Sequence, residues 1–243
     1  MAASGALRVA SLNLCTDEYL LLLAGPGQIV SVSHLAQDPN ESVLWRSARQ
    51  VPANSGSLES VLQFRPSVVL TMGGAGRDTA TIARRLGIRL LDLPFPASIA
   101  DVERQATEVA ALLGQPARVR PFRSRIASLR RAVVPARDAA FLSGGGLSLS
   151  PGSLGAEWMR LAGFRQRSFP SGRLSLETLA TAPPKWLIRS DYRRGQFDRG
   201  QAWLRHSLVR RLRSRTILTD GRRWTCGGLP MIEEIERLGR LRS

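Results

Sequence analysis

The sequence predicts an α/β protein made of two lobes, each built on a parallel β-sheet. Apolar runs of strand length alternate with helical patterns over most of the chain, and this alternation is typical of parallel sheets covered by helices. The stretch from Ser98 to Val134 carries helical patterns alone. A phrase that precedes this stretch, SLESVLQFRPSVVL from Ser57, recurs after it as SLETLATAPPKWLI from Ser175.

These observations divide the chain into three parts. We predict a first α/β lobe over residues 1–97, a linking helical segment over 98–134 and a second α/β lobe over 135–243. At 243 residues the chain is long enough for each lobe to have its own apolar core. Ligands of parallel sheets bind at the carboxyl ends of the strands. The predicted fold is therefore two α/β lobes with parallel sheets, joined by a long rigid helix, with a ligand cleft between the lobes.

In the first lobe, strand and helix patterns follow one another in order. The first strand, RVASLNL, ends at Asn13, and the next pattern, CTDEYLLLLA, is helical. The short strand QIVSVSHL ends near His34 and precedes the first copy of the repeated phrase. After that copy, TATIARRLG predicts a helix that stops at Gly87, and IRLLDLP predicts a strand.

The linking segment and the second lobe continue this order. SIADVERQATEVAALLGQ and ARVRPFRSRIASLRRAV predict helix on both sides of an interruption at Gly114 and Pro116. The second lobe begins with a strand that runs into glycines, and a helix ending at Gly163 precedes the second copy of the phrase. RTILTDG then predicts a strand, and PMIEEIERLGRL predicts a closing helix with Pro230 at its start.

The repeated phrase has matching residues at matching positions. Each copy predicts a helical turn, a proline and a strand buried on both faces. We interpret the match as an internal duplication; chance similarity between two common helix-loop-strand units is the alternative. The matched residues, first copy then second, are Ser57 and Ser175, Leu58 and Leu176, Glu59 and Glu177, Pro66 and Pro184.

The charge of the chain is strongly positive and unevenly distributed. The net charge is +16; the first hundred residues carry eight basic and seven acidic side chains, and the rest carry 27 and 12. A basic half can bind nucleic acid, anionic lipid or an anionic ligand. No arginine stripe is interleaved with aromatic residues, so we expect no nucleic-acid partner. No apolar stretch reaches the roughly 18 residues of a spanning helix, and the opening MAASGALRVASLNL has no signal-peptide pattern.

Catalytic motifs are not found in the sequence. The chain has two histidines and two cysteines, and the patterns HExxH, CxxC, GxSxG and GxxxxGK[ST] do not occur. We therefore expect neither an enzyme nor a metal site or resident cofactor. An enzyme on the same two-lobe fold is the alternative, and it would need an acid/base pair with perturbed pKa values. Asp17 and Asp191 are the candidates, and neither has an evident partner in the sequence.

The candidate ligand-binding residues share one property, which is that each ends or follows a predicted strand. Aromatic rings there offer flat apolar faces, and arginines there can meet carboxylate or phosphate groups. The two cysteines admit three interpretations, a disulfide, metal ligands or unpaired thiols near the ligand, of which we favour the last. The candidates are Asn13, Cys15, His34, Gly73 and Gly74 in the first lobe, and Gly144, Gly145, Asp191, Tyr192, Arg222, Trp224 and Cys226 in the second.

Taken together, RVASLNLCTDEYLLLLA, SLESVLQFRPSVVL, the helical middle segment and HSLVRRLRSRTILTDGRRWTCGGLPMIEEIERL resemble the periplasmic substrate-binding proteins of ABC importers for vitamin B12 and ferric siderophores. The resemblance covers nearly the whole chain. It implies a periplasmic protein that holds a cobalamin-type corrinoid or a ferric siderophore between its lobes and delivers it to a membrane permease dimer. We expect a monomer. A stand-alone haem or corrinoid carrier is the alternative function.

The resemblance also gives a role to the repeated glutamates. In that family each lobe presents one acidic residue to an arginine pocket on the permease, and Glu59 and Glu177 match those positions. The resemblance therefore implies that both are permease-docking residues. The alternative is that each carboxylate only stabilises the start of its helix through the helix dipole.

Overall fold

The computed structural model describes residues 7–132, 135–190, 192 and 199–242. The chain divides into two compact units, the first formed by Met1–Pro96 and Ala100–Arg123 and the second by Ala97–Ile99 and Ser124–Ser243. Each unit contains one sheet whose strands all pair in parallel. The predicted α/β class with two parallel-sheet lobes is therefore confirmed.

The sheet of the first unit has five strands in the order β3-β2-β1-β4-β5. Its central strands are the uninterrupted apolar runs of the sequence, and β1 and β4 are buried along their whole length. Such burial on both faces is expected when helices cover a parallel sheet on each side. The strands are β1 Val9–Ser11, β2 Ile29–Ser33, β3 Ala53–Asn54, β4 Val68–Met72 and β5 Arg89–Leu93.

Helices follow the strands of the first unit in turn. The side chains of Leu58, Val61 and Val69 pack in one apolar cluster, which holds α4 against the sheet. The predicted stop of α5 at Gly87 is confirmed, since Gly87 has a left-handed φ of 69° directly after the helix. The helices are α1 Leu14–Leu23, α2 His34–Gln37, α3 Trp45–Ala48, α4 Leu58–Val61 and α5 Arg77–Arg85.

The middle segment is helical and interrupted where the sequence predicts. Helix α6, Ile99–Leu112, is followed by Gly114 with a φ of 66°, a short 3-10 turn at Pro116–Val119 and helix α7, Arg120–Arg131. Val102, Ala106 and Val109 are buried at helical spacing along α6. The apolar stripe thus fixes which side of α6 packs against its own unit.

The sheet of the second unit has four strands in the order β7-β6-β8-β9. Pro230 stands at the N-cap of the last helix, as predicted. The strands are β6 Arg137–Leu142, β7 Phe164–Gln166, β8 Trp186–Ser190 and β9 Arg215–Thr219. The helices are α8 Leu154–Leu161, α9 Leu176–Thr181, α10 Arg199–Leu204, α11 Ser207–Arg210, α12 Gly221–Cys226 and α13 Met231–Leu241.

The two copies of the repeated phrase form the same local structure. Ser57 and Ser175 are both N-caps, and their hydroxyl groups accept hydrogen bonds from backbone amides three residues later. Each short helix then leads to a strand next to the first strand of its sheet, β4 beside β1 and β8 beside β6. The strand order β2-β1-β4-β5 in the first unit corresponds to β7-β6-β8-β9 in the second. Topology and capping therefore both agree with the interpretation as a duplication.

Within the described part of the chain, no helix has the length and apolar character needed to cross a membrane.

Candidate functional site

Asn13 is placed where β1 passes into α1, at the carboxyl edge of the first sheet. Its Oδ1 accepts a hydrogen bond from the Thr16 amide at 3.1 Å, and its Nδ2 donates to Thr71 Oγ1 at 3.4 Å and to the Met72 carbonyl at 3.3 Å. The side chain therefore caps a helix and ties β1 to β4. These bonds give Asn13 a structural role at the predicted ligand edge; direct ligand contact stays a prediction.

Asp17 lies one turn into α1 and is fully buried. Its carboxylate accepts hydrogen bonds from the Ser33 amide at 3.0 Å and from the Ser33 hydroxyl. Burial raises the pKa of Asp17 to about 7, although the hydrogen bonds from Ser11 and Ser33 oppose the increase. Asp17 thus does have a partner, contrary to the sequence analysis, but with no exposed surface it cannot touch a substrate. Its role is to hold the end of β2.

His34 follows Ser33 directly and is the first residue of α2. Its side chain is exposed at the carboxyl edge of the sheet. The bonds between Asp17 and Ser33 therefore fix the backbone on which His34 stands. An exposed imidazole can ligate a metal ion or donate a hydrogen bond, and His34 remains a predicted ligand contact.

Gly73 and Gly74 follow β4 and both have a left-handed backbone, with φ values of 89° and 102°. The amides of Gly74 and Ala75 donate hydrogen bonds to the two carboxylate oxygens of Asp92, at 3.2 and 3.0 Å. This clamp holds the glycine turn against the end of the neighbouring strand β5. Side chains other than glycine rarely adopt such φ values.

Phe95 is an exposed aromatic residue at the same edge, and the sequence analysis missed it. It follows the last strand of the first sheet, and 70% of its surface is exposed. Its ring lies against Gly73 so closely that a Cβ atom on this glycine would be 2.3 Å from the ring. The phrase LPFP directly after a predicted strand was the available signal. The first unit thus offers one flat apolar face to a ligand.

In the second unit, the glycines after β6 form a short 3-10 turn, Gly144–Gly146. Gly144 is packed against the backbone of Gly200, since a Cβ atom there would lie 3.6 Å from the Gly200 carbonyl carbon. Gly145 has a φ of 67° and its carbonyl accepts a hydrogen bond from Arg173 Nη1 at 3.2 Å. Gly144 thus packs on α10, and the left-handed backbone of Gly145 favours glycine there; ligand contact by Gly144 and Gly145 stays a prediction.

Trp224 lies at the carboxyl edge of the second sheet and is fixed by a chain of hydrogen bonds. Its Nε1 donates to Thr219 Oγ1 at 2.7 Å, and the Thr219 hydroxyl donates to the buried carboxylate of Glu234. Arg237 donates to the same carboxylate and to the carbonyl at the end of β9. The Trp224 ring also packs on Phe141, with centroids 4.6 Å apart. A tryptophan held on two sides is a preorganised surface.

The residues around Trp224 form the short helix α12, which begins directly after the N-cap residue Asp220. Asp220 caps this helix by accepting a hydrogen bond from the Arg222 amide, and its carboxylate also pairs with the Arg222 guanidinium. Burial favours a higher pKa for Asp220, but the hydrogen bonds and charge of Arg222 outweigh burial and hold that pKa below its ordinary value. Arg222 therefore has an intramolecular carboxylate partner. That it also meets the ligand remains a prediction.

Two predicted residues of the second unit follow β8. Asp191 lies outside the described residues. Tyr192 is half-buried, and a Cβ atom on Gly221 would lie 2.4 Å from the Tyr192 Cβ. Gly221 is thus required for the close approach of Tyr192 to the start of α12.

Neither cysteine is free, and Cys15 and Cys226 are both disulfide-bonded. The preference for unpaired thiols near the ligand is therefore wrong, and the disulfide interpretation holds. The interpretation as metal ligands fails as well, because a disulfide sulfur has no thiolate with which to bind metal. Among the described residues, no group of three or more histidine, cysteine or acidic side chains could hold a metal ion.

The glutamates of the repeated phrase occupy equivalent places. Glu59 and Glu177 each stand in the first turn after the capping serine, and both side chains are exposed. Neither carboxylate pairs with an arginine in the described part of the chain, although the protein has 35 basic and 19 acidic residues.

Two parallel-sheet α/β units linked by a helical segment define the class of two-lobe α/β binding proteins. A family model described as periplasmic binding protein matches residues 9–202, so the chain belongs to this family. The resemblance recognised in the sequence is confirmed at that level. No curated protein matches the chain.

Solved structures with the same fold include three periplasmic binding proteins. HutB of Vibrio cholerae, a haem-binding protein, has a TM-score of 0.75 and 18% identity over 98% of this chain and 99% of its own. BhuT, a haem-binding protein in complex with two haems, has a TM-score of 0.74 and 19% identity over 97% of both chains. BtuF of Vibrio cholerae, which binds vitamin B12, has a TM-score of 0.67 and 15% identity over 96% and 95%. At these identities the similarity concerns the fold.

Proposed function

We propose that this protein is the substrate-binding component of an ABC importer. We propose further that its ligand is a planar tetrapyrrole and that haem is preferred over a corrinoid. The observation that carries the proposal is the Phe95 ring, 70% exposed at the carboxyl edge of the first sheet and backed by Gly73. An exposed aromatic face held by its backing is suited to stack on a flat apolar ligand. Family membership supplies the binding role.

The charge of the protein favours haem over a corrinoid. Haem carries two carboxylates, whereas a corrinoid has a neutral amide rim and one phosphate. A protein with a net charge of +16 attracts the more anionic ligand at long range. Many ferric siderophores are also anionic, but they lack the extended flat face that would match Phe95. The stand-alone carrier remains the alternative, and it would use the same site without a permease.

The ligand proposal is tested by titrating the protein with haemin, cyanocobalamin and ferrichrome, followed by tryptophan quenching and by the haemin absorbance. We expect haemin to bind most tightly. The variant Phe95→Ala should weaken haemin binding about fivefold to tenfold, the equivalent of about 1 kcal/mol for a lost stacking face. Leu86→Ala is the matched control, because Leu86 is an exposed apolar residue at the C-cap of α5 (52% exposed). Equal affinities for haemin in wild type and Phe95→Ala would refute the stacking role.

We also propose that Glu59 and Glu177 dock the protein onto its permease. The support is their equivalence: both are exposed, both follow a capping serine, and both lack an arginine partner within the described residues of an arginine-rich protein. Two separated charges that engage together would fix the orientation on a two-fold symmetric partner. A periplasmic location follows from this role and is part of the proposal.

The docking proposal is tested with the double variant Glu59→Lys/Glu177→Lys and the cognate permease in proteoliposomes. We expect unchanged haemin affinity and loss of transport, because both contacts would become repulsive. The charge-matched control is Asp78→Lys/Glu108→Lys, which changes two exposed acids elsewhere. Normal transport by the double glutamate variant would mean that the glutamates serve only as helix starts.

A further inference from the structure

A groove on the second unit lies between α9 and the start of α11, away from the strand ends described above. Its volume is about 430 Å³. The floor is apolar: Leu179 is buried, and Leu208 and Leu212 are partly buried in the same cluster. Ala180 lines one wall and is exposed. Such a groove, apolar inside and open outside, has the form that receives apolar side chains of a partner.

The rim of the groove is cationic. Arg211 and Arg213 line it and are exposed, and neither takes part in an ion pair in the part of the chain that the structure describes. The surrounding segment 199–219 contains six arginines and no acidic residue. Because the rim charges are exposed and not neutralised by carboxylates there, they are available to an anionic partner.

One side of the groove is held by local capping. His206 is the N-cap of α11, and its Nδ1 accepts a hydrogen bond from the Leu208 amide at 3.2 Å. This cap fixes the start of α11 beside α9. Leu208 lies in α11, Leu212 follows the C-cap of that helix at Arg211, and both pack against the apolar cluster that contains Leu179.

We propose that this groove binds an acidic amphipathic helix of a protein partner. An apolar floor flanked by arginines is complementary to a helix with leucine-like side chains on one face and carboxylates beside them. A lipid surface fits less well, because a bilayer is flat whereas this site is a groove with an apolar floor.

The probe for this proposal is a synthetic acidic peptide with leucines at every third or fourth position and glutamates between them. Binding is measured by fluorescence anisotropy at an ionic strength of about 0.15 M, where distant charges are screened. We expect Arg211→Glu/Arg213→Glu to weaken binding about tenfold or more, since both rim charges become repulsive. Ala180→Trp, which fills the groove and keeps the charges, should weaken binding to a similar extent.

The matched control is Arg160→Glu/Arg165→Glu, which reverses two exposed arginines elsewhere on the second unit. This variant should bind the peptide as wild type does. Equal losses in the control and in Arg211→Glu/Arg213→Glu, or wild-type binding by Ala180→Trp, would mean attraction to net charge alone and would overturn the proposal. It would also be overturned if vesicles of phosphatidylglycerol bound in an Arg211-dependent way while the peptide did not.

Discussion

Replacement of Asp17 by asparagine is expected to remove a pH-dependent cost of folding. The Asp17 carboxyl is fully buried, and burial raises its pKa from 3.8 to about 7. Asparagine has nearly the same shape. Its Oδ1 can accept the bond from the Ser33 amide, and its Nδ2 can donate to the Ser33 hydroxyl. The variant therefore keeps the contacts and loses only the titration.

The sign and size of the effect follow from the two pKa values. The folded protein holds the Asp17 proton up to about pH 7, whereas the unfolded chain releases it near 3.8. The free energy of unfolding therefore falls as the pH rises between these two pKa values, and it stops falling above the folded pKa. Between pH 5 and pH 7 the loss spans two pH units, or about 2.7 kcal/mol at 1.36 kcal/mol per unit.

The assay is urea denaturation of wild type and Asp17→Asn at pH 5 and pH 8, followed by circular dichroism without reductant. Other carboxylates titrate equally in both proteins, so the difference between the proteins isolates Asp17. Asp17→Asn should gain about 2.7 kcal/mol on wild type between the two pH values. Asp78→Asn, in the exposed first turn of α5, controls for the loss of one carboxyl. A gain below about 1 kcal/mol would refute the reasoning.

Two further predictions concern the candidate ligand edges. Gly73→Ala and Gly74→Ala should each lose about 1 kcal/mol or more of stability through backbone strain. Only Gly73→Ala should also weaken haemin binding, because only its Cβ would meet the Phe95 ring, at 2.3 Å. Equal haemin affinities in the two variants would contradict this prediction. Thr219→Val should shift the fluorescence of Trp224 and cost about 1–3 kcal/mol in thermal unfolding, since a buried hydrogen-bond network loses its middle member. Thr216→Val, on the exposed face of β9, should do neither, and an unchanged spectrum in Thr219→Val would remove the hydroxyl from the positioning of the ring.

The central strands of both sheets could be predicted because their burial determines their composition. Val68–Met72 and Trp186–Ser190 lie beside the first strand of each sheet, where apolar side chains are needed on both faces. The strands Ala53–Asn54 and Phe164–Gln166 were not predicted. They contain only two and three residues, and their pairing depends on a neighbouring strand rather than on a pattern of their own.

Helix α12 shows how a local pattern can be overruled by packing. GRRWTC is bounded by glycines, which favours a loop. In the structure Gly221 is the first residue of the helix, and Asp220 supplies the cap. The residue is glycine because Tyr192 occupies the space that a Cβ would need. A glycine can mark the close approach of another chain segment as well as a turn, and only the tertiary structure distinguishes the two.

The candidate site was predicted by position better than by role. The predicted placement at strand ends agrees with the structure, since Asn13 and Trp224 stand at the carboxyl edges of the two sheets; ligand binding at these edges stays a prediction. Spacing contains no information about which partners a polar group will find. The side-chain amide of Asn13 caps α1 through Oδ1 and binds the end of β4 through Nδ2. Phe95, which lies between two prolines, was not among the predicted residues. The Phe95 ring packs against the left-handed turn at Gly73. This contact could not be predicted from the sequence, because it depends on the three-dimensional arrangement of the two residues.

The pairing of the many arginines could not be predicted from the sequence either. The composition gives a net charge of +16 but does not say which basic side chains pair with carboxylates. Arg222, which was predicted to contact the ligand, is paired with Asp220. Arg125 forms a bidentate ion pair with Glu236. Each such pair removes a cation from the set that can attract an anion. Arg211 and Arg213 at the rim of the α9–α11 groove have no such carboxylate within the described residues, so their positive charge stays available to a partner.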